Sequence, residues 1–169
     1  MKKIALLIVL IVGLTSFGQA QERMSYEDEV EPSAAQKKFA EQYVEAINSG
    51  DINKIKALVH GGSLAAINEE NQSFFDYLFN KDLKNQIPDN YQISTRVVKD
   101  EDALIMEGDL IYPVRPTDEI LLTFPTGEDN STKSLDRYLY CTEESCLTVI
   151  SVPSATLLAE FIKNIPAGK

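Results

Sequence analysis

Histidine is nearly absent from this 169-residue chain, which carries only His60, and cysteine is scarce, with Cys141 and Cys146 alone. Those shortages exclude much chemistry. A Ser-His-Asp triad would have to use His60 itself, and the chain has no G-x-S-x-G elbow to supply the nucleophile. One histidine and a C-x4-C pair cannot fill four zinc positions without carboxylates drawn from elsewhere. Neither "DEDAL" nor "EDNSTKSLD" keeps the oxygen spacing and glycine of a calcium loop. No phosphate-cradling glycine loop occurs, and no internal repeat. The sequence therefore predicts no metal and no cofactor.

Long apolar runs are missing too. The longest, Ile4 to Leu14, has 11 residues, where a membrane-spanning helix needs about 20. Lys2 and Lys3 precede it, and the small residues Gly18 and Ala20 follow. This is the pattern of a secretory signal peptide over residues 1–20, cleaved after Ala20. Without Lys2 and Lys3 the basic count falls from 16 to 14 against 26 acids, a net charge near −12. So acidic a surface argues against nucleic acid, and against anionic lipid once the signal is removed. The chain is expected to be exported, to the periplasm or beyond.

What remains is about 149 residues, enough for one domain with a real core. Residues 21–33 are acidic and poor in aliphatics, and read as a flexible leader ending at Ser33, a candidate N-cap. The domain then covers 34–169. Ala35, Phe39, Tyr43, Ala46 and Ile47 recur at intervals of three and four, one stripe of an amphipathic helix. Gly50 suits a left-handed C-terminal cap and Asp51 a second N-cap. Ile52, Ile55, Leu58 and Val59 form the stripe of a second helix, predicted to end at His60 before Gly61-Gly62. A third helical region centres on Phe74 to Phe79.

From Tyr91 the period changes to two. "YQISTRVV", "ALIMEGDLIYPV" (where Gly108 suits a bulge), "EILLTF", "SLDRYLYC" and "CLTVISV" predict a five-stranded antiparallel meander. A last helix, capped by Ser154, carries Leu157, Leu158, Phe161, Ile162 and Ile165. Helices first and a sheet after is an α+β arrangement, with N-terminal helices packed on the sheet and an extra C-terminal helix.

The stretch "FAEQYVEAINSGDINKIKALV", Phe39 to Val59, resembles the opening of the nuclear transport factor 2-like superfamily, also called SnoaL-like or cystatin-like. The resemblance implies a curved sheet wrapped around the helices as a cone, with a pocket between them. It also implies that ligands or substrates sit there and that a pocket Asp, His or Tyr moves a proton in the enzymes; no motif assigns that role to a position here. The final helix departs from the usual ending.

Cys141 and Cys146 flank a four-residue loop between two strand-like runs. In an exported chain they are expected to bond, and closing so short a loop stabilises by about 2 kcal/mol. The alternative is a redox pair, though reactive pairs are usually spaced C-x-x-C. The bond would set the register: Cys141 with Cys146, Leu139 with Thr148, Arg137 with Ile150 and Leu135 with Val152 on one face; Tyr140 with Leu147, Tyr138 with Val149 and Asp136 with Ser151 on the other. Both faces are then largely apolar, so the C-terminal helix or a second subunit, in a homodimer, is expected to cover the side away from the N-terminal helices.

Chemistry-bearing candidates are few. His60 reads as a helix-terminal residue meeting the dipole. Glu107 and Asp109, two apart on one predicted strand, would share a face and, inside a cone, share a proton; outside it they are solvated charges. Phe39, Tyr43, Phe74, Phe75 and Tyr77 are either core or pocket lining. The expected function is a non-catalytic module that binds a small apolar ligand or a protein partner. The alternative is a small isomerase, dehydratase or cyclase using a pocket carboxylate.

Overall fold

A computed structural model describes residues 29–99, 110–126 and 131–164. Helix α1 (Ala34–Ser49) begins at a capping box: Ser33 Oγ accepts from the Gln36 N–H while Gln36 Oε1 accepts from the Ser33 N–H. Two of the helix's orphan donors are thereby satisfied. Its predicted stripe, Ala35, Phe39, Tyr43, Ala46 and Ile47, is buried. The helix stops at Gly50, whose φ of 69° is the left-handed conformation that glycine adopts without strain. Asp51 then caps α2 (Ile52–Ala57) by accepting from the Asn53 N–H at 2.9 Å.

Gly61-Gly62 does not end the helical region, as expected, but opens the short helix α3 (Gly61–Ala65). His60 is therefore not a C-terminal residue meeting a dipole; it is the N-cap of α3. Gly62 is required for packing here, because a Cβ would stand 2.6 Å from Val114 Cγ2. Helix α4 (Gln72–Asp82) turns Phe75 and Phe79 into the core.

Two-residue β1 (Glu29–Val30) precedes α1, and β2 (Gln92–Val97), β4 (Asp118–Pro125), β5 (Thr132–Cys141) and β6 (Cys146–Thr148) follow α4. They form a five-stranded antiparallel sheet in the order β1-β2-β4-β5-β6. A second, two-stranded sheet joins β3 (Leu110–Ile111) to β7 (Val152–Pro153). The architecture is thus α+β, with an antiparallel sheet of five strands and a C-terminal helix, α5 (Ala155–Asn164).

The strands are not the expected five, however. Glu29–Val30, read as part of the leader, takes the edge beside β2, and the Thr95 hydroxyl donates to the Val30 carbonyl at 2.9 Å. Of the segment expected between β2 and β4, the described residues include the strand Leu110–Ile111, which pairs with β7; residues 103–109 lie outside the described residues. Direct pairing of β2 with β4 sets Ile93 and Thr95 opposite Leu122 and Ile120, so one face closes over the helices. Thr95, Ile120, Leu122 and Leu139 on that face are fully buried with Phe39, Tyr43, Ile47, Ile55 and Phe75.

The disulfide Cys141–Cys146 is formed, and three of the predicted rungs hold: Cys141 with Cys146, Tyr140 with Leu147, Leu139 with Thr148. Beyond Thr148 the expected pairs of Arg137 with Ile150 and Leu135 with Val152 do not form. The backbone of Thr148 is taken by the α2–α3 junction, donating to the Leu58 carbonyl at 2.8 Å and accepting from the His60 N–H at 2.9 Å. The Ile150 N–H goes to Ser63 Oγ at 3.3 Å, and Val152 pairs with Ile111. The Val149 N–H still donates to the Tyr138 carbonyl at 2.8 Å, and past it the chain is held by α3 and β3.

Candidate functional site

The sheet's helix-facing side carries Arg137 at its centre. On β5 the alternation Leu135, Arg137, Leu139 directs Arg137 under the helices, opposite Ile120 of β4. Its Nε donates to Tyr43 Oη of α1 at 2.6 Å, its Nη2 to Asp82 Oδ1 at the end of α4, and its Nη1 to the Asp136 carbonyl. Tyr43 Oη donates in turn to Asp82 Oδ2 at 2.8 Å, and the guanidinium lies 5.4 Å from the Tyr43 ring centroid. Three elements meet in one closed ring of hydrogen bonds.

The electrostatics hold Tyr43 and Arg137 each in one state. Burial is the strongest influence on Tyr43 and pushes its phenol well above the ordinary value; Arg137 pulls the other way, and Asp82 adds to the rise. Burial alone would lower Arg137, but Tyr43 and Asp82 together outweigh it and raise the guanidinium above its usual value. The arrangement is thus a protonated phenol between a fixed cation and its carboxylate. Each nitrogen and oxygen of the three side chains has at least one partner, the Asp136 carbonyl included, which is what makes a buried ion pair tolerable.

The aromatic candidates separate into two groups. Phe39, Tyr43 and Phe75 are at most 1% exposed and fill the space between helices and sheet. Phe74 and Tyr77 belong to the outer side of α4, where both rings contact Phe161 of α5, at 5.1 and 5.3 Å between centroids. Helix α5 therefore joins the helical layer and does not cover the far face of the sheet, as the sequence had suggested. None of its residues is buried, and Tyr77 and Ile162 are each 53% exposed.

That far face is polar where it was expected to be apolar. Arg96, Glu119 and Tyr138 stand side by side across β2, β4 and β5, and Arg96 Nε donates to Glu119 Oε2 at 2.5 Å. The Tyr112 ring packs edge-on against Tyr138 at 5.4 Å. Burial, with Tyr138 beside it, pushes the Tyr112 phenol up to about 12.

His60 lies apart from the Arg137 ring. Its Nδ1 accepts from the Gly62 N–H at 3.0 Å and its imidazole meets Tyr140 edge-on at 5.1 Å. Glu107 and Asp109 lie outside the described residues. Among the described residues, no group of three or more His, Cys, Asp or Glu could hold a metal ion. Two cavities lie against the outer side of α1: one of about 500 Å³, lined by Glu41, Glu45, Asn48, Asp89 and Tyr91 among others, and one of about 270 Å³ beside the disulfide hairpin.

Sequence reasoning missed Arg137 and Asp82 as partners. The signal was a charge standing at an apolar position: Arg137 between Leu135 and Leu139 on a strand face, Asp82 three residues past Phe79 on the stripe of α4. Each is a charge that burial forces to find its opposite. Compared with family models, curated proteins and solved structures, the chain matches none.

Proposed function

We propose that this protein is an exported, non-catalytic module that works by contact with a protein partner at its surface. The observation that carries this reading is the filled interior. Phe39, Tyr43 and Phe75 occupy it, and Arg137, Asp82 and Tyr43 bond to one another, with the two charged side chains only 22% and 16% exposed. A proton-moving site needs a titratable group directed at a space that a substrate enters.

The surface offered for contact is the ridge where α4 meets α5. Exposed Tyr77 and Ile162 flank the half-buried Phe74 and Phe161 there, an apolar set on an otherwise acidic protein. Export is supported by the signal-like start, by the disulfide, and by the lack, among the described residues, of a helix long and apolar enough to cross a membrane. Membership of the nuclear transport factor 2-like superfamily belongs to the same proposal. It is supported by α1, the Gly50-Asp51 break, α2 and the antiparallel sheet that follows.

Native mass spectrometry of protein recovered from the exported fraction tests the reading. The expected spectrum carries the added mass of a partner chain or a second copy, and Y77E combined with I162E removes it. A lone monomer in both spectra overturns the proposal, and a retained small molecule overturns it in favour of ligand binding.

A further inference from the structure

The hydrogen bonds beside the disulfide run in one connected series to the start of the first helix. The Cys141 N–H donates to Thr117 Oγ1 at 2.8 Å, and that hydroxyl donates to Asp118 Oδ2 at 2.5 Å. The other oxygen of the same carboxylate, Oδ1, accepts from Gln36 Nε2 at 3.0 Å. Gln36 is the residue whose Oε1 holds the Ser33 N–H, at 2.8 Å, in the capping box of α1. One glutamine amide is thus gripped by the sheet at its nitrogen and grips the helix cap with its oxygen.

The second strand of the same hairpin holds the other helices. Thr148 exchanges backbone hydrogen bonds with Leu58 and His60, on either side of Val59 and just before α3. Between these two attachments lies the smaller cavity, whose lining joins Ala35 and Phe39 of α1 and Leu58 to Cys146 and Leu147 of the hairpin.

We propose that the Cys141–Cys146 disulfide is a redox-sensitive latch on the N-terminal cap of α1. Opening it proceeds by exchange with a dithiol reductant. A reductant thiolate attacks Sγ of the half-buried Cys141, since Cys146 is only 5% exposed. The bond between the two cysteine sulfurs breaks, and Cys146 leaves as a thiolate that takes up a proton. The reductant's second thiol then displaces Cys141, so the reductant ends as a disulfide and the protein as two thiols, with two electrons and two protons transferred.

Cys141 is the last residue of β5 and its pairing with Cys146 is the last rung before an exposed loop. With the covalent tie gone, that rung frays as strand ends do, and the donor that orients Thr117 is withdrawn. Asp118 and then Gln36 lose their alignment, and the cap of α1 loosens. Re-forming the disulfide reverses each step.

Amide hydrogen exchange read residue by residue by NMR, with and without dithiothreitol, tests the latch. On reduction the Ser33 N–H is expected to exchange about fivefold faster, the factor that one hydrogen bond of ordinary net worth supplies. The Asn53 N–H, capped by Asp51 outside the series, should keep its rate. Thr117→Val, which keeps the disulfide but removes the connecting hydroxyl, should show fast Ser33 exchange already when oxidised and no further response to reductant. The proposal is overturned if reduction speeds Thr142 and Cys141 but not Ser33. It is overturned equally if Ser33 and Asn53 rise together, the mark of general loosening, or if Thr117→Val keeps the full redox response.

Discussion

Strands β4 and β5 face helices on one side, while on the other Tyr138 of β5 packs against Tyr112, and each side holds an arginine beside a carboxylate. On the helix side Arg137 engages Asp82, 55 residues away, and Tyr43, 94 residues away, so one side chain ties the sheet to both α4 and α1. On the other side Arg96 and Glu119 are direct neighbours on strands that the ladder already pairs. The side chains are similarly buried, 22% and 16% exposed in the first pair, 18% and 10% in the second. Burial therefore does not distinguish them. What differs is whether the pair is needed to hold two layers together.

The largest effect should follow from breaking the inner ring. Arg137→Leu leaves Asp82 charged under the helices and is expected to cost about 3 to 5 kcal/mol, the range for removing one partner of a buried pair. Urea unfolding followed by circular dichroism measures it; a loss below about 1 kcal/mol would equate the inner pair with a surface one. Tyr43→Phe keeps the ring in the core and deletes two hydrogen bonds to charged groups, at about 1.5 to 3 kcal/mol. Because Tyr43 and Arg137 share partners, the double variant should lose less than the two single losses added together.

Arg96→Leu should be milder, at about 1 to 3 kcal/mol, as one buried acceptor loses a donor while the strand ladder stays intact. An equal or greater loss than for Arg137→Leu would reverse the comparison. Alkaline titration probes both faces. A tyrosine whose folded value is raised stabilises fully below its ordinary value of 10.0 and loses that contribution as pH climbs, so Tyr112 should weaken the fold between pH 10 and about 12. Tyr43 is raised as well and adds to the same alkaline loss. Tyr112→Phe should flatten the stability curve in that window, and thermal melts at stepped pH would show it. The smallest change belongs to the ridge: Tyr77→Ser, more than half exposed, should move stability by less than about 0.5 kcal/mol while weakening partner contact.

Much of the helical layer was legible in advance because its signals are local. The Ser33 cap, the α1 stripe, the Gly50 break and the Asp51 cap each depend on residues within one turn. The disulfide and the first three rungs of its hairpin were legible for the same reason, since a short loop dictates its own register. Legibility failed beyond Val149, whose N–H still donates to the Tyr138 carbonyl. From there the chain leaves the ladder: the Ile150 N–H goes to Ser63 Oγ, 87 residues earlier, and Val152 pairs with Ile111. The covering role expected of α5 failed similarly: an apolar stripe reveals that a helix needs a neighbour, and the rings of Phe74 and Tyr77 decided which.

The sequence alone determined the class of fold, the acidic character, the caps and the staple, because periodicity, charge and nearest-neighbour chemistry are properties of short stretches. Only the tertiary structure decided that Arg137, Asp82 and Tyr43 meet, that Glu29–Val30 closes an edge of the sheet, and that the space between helices and sheet is filled by rings. Those outcomes depend on which distant segments compete for the same buried hydrogen bonds and the same volume. That competition is settled by packing, where an unpaired charge or an empty space costs more than any local preference supplies.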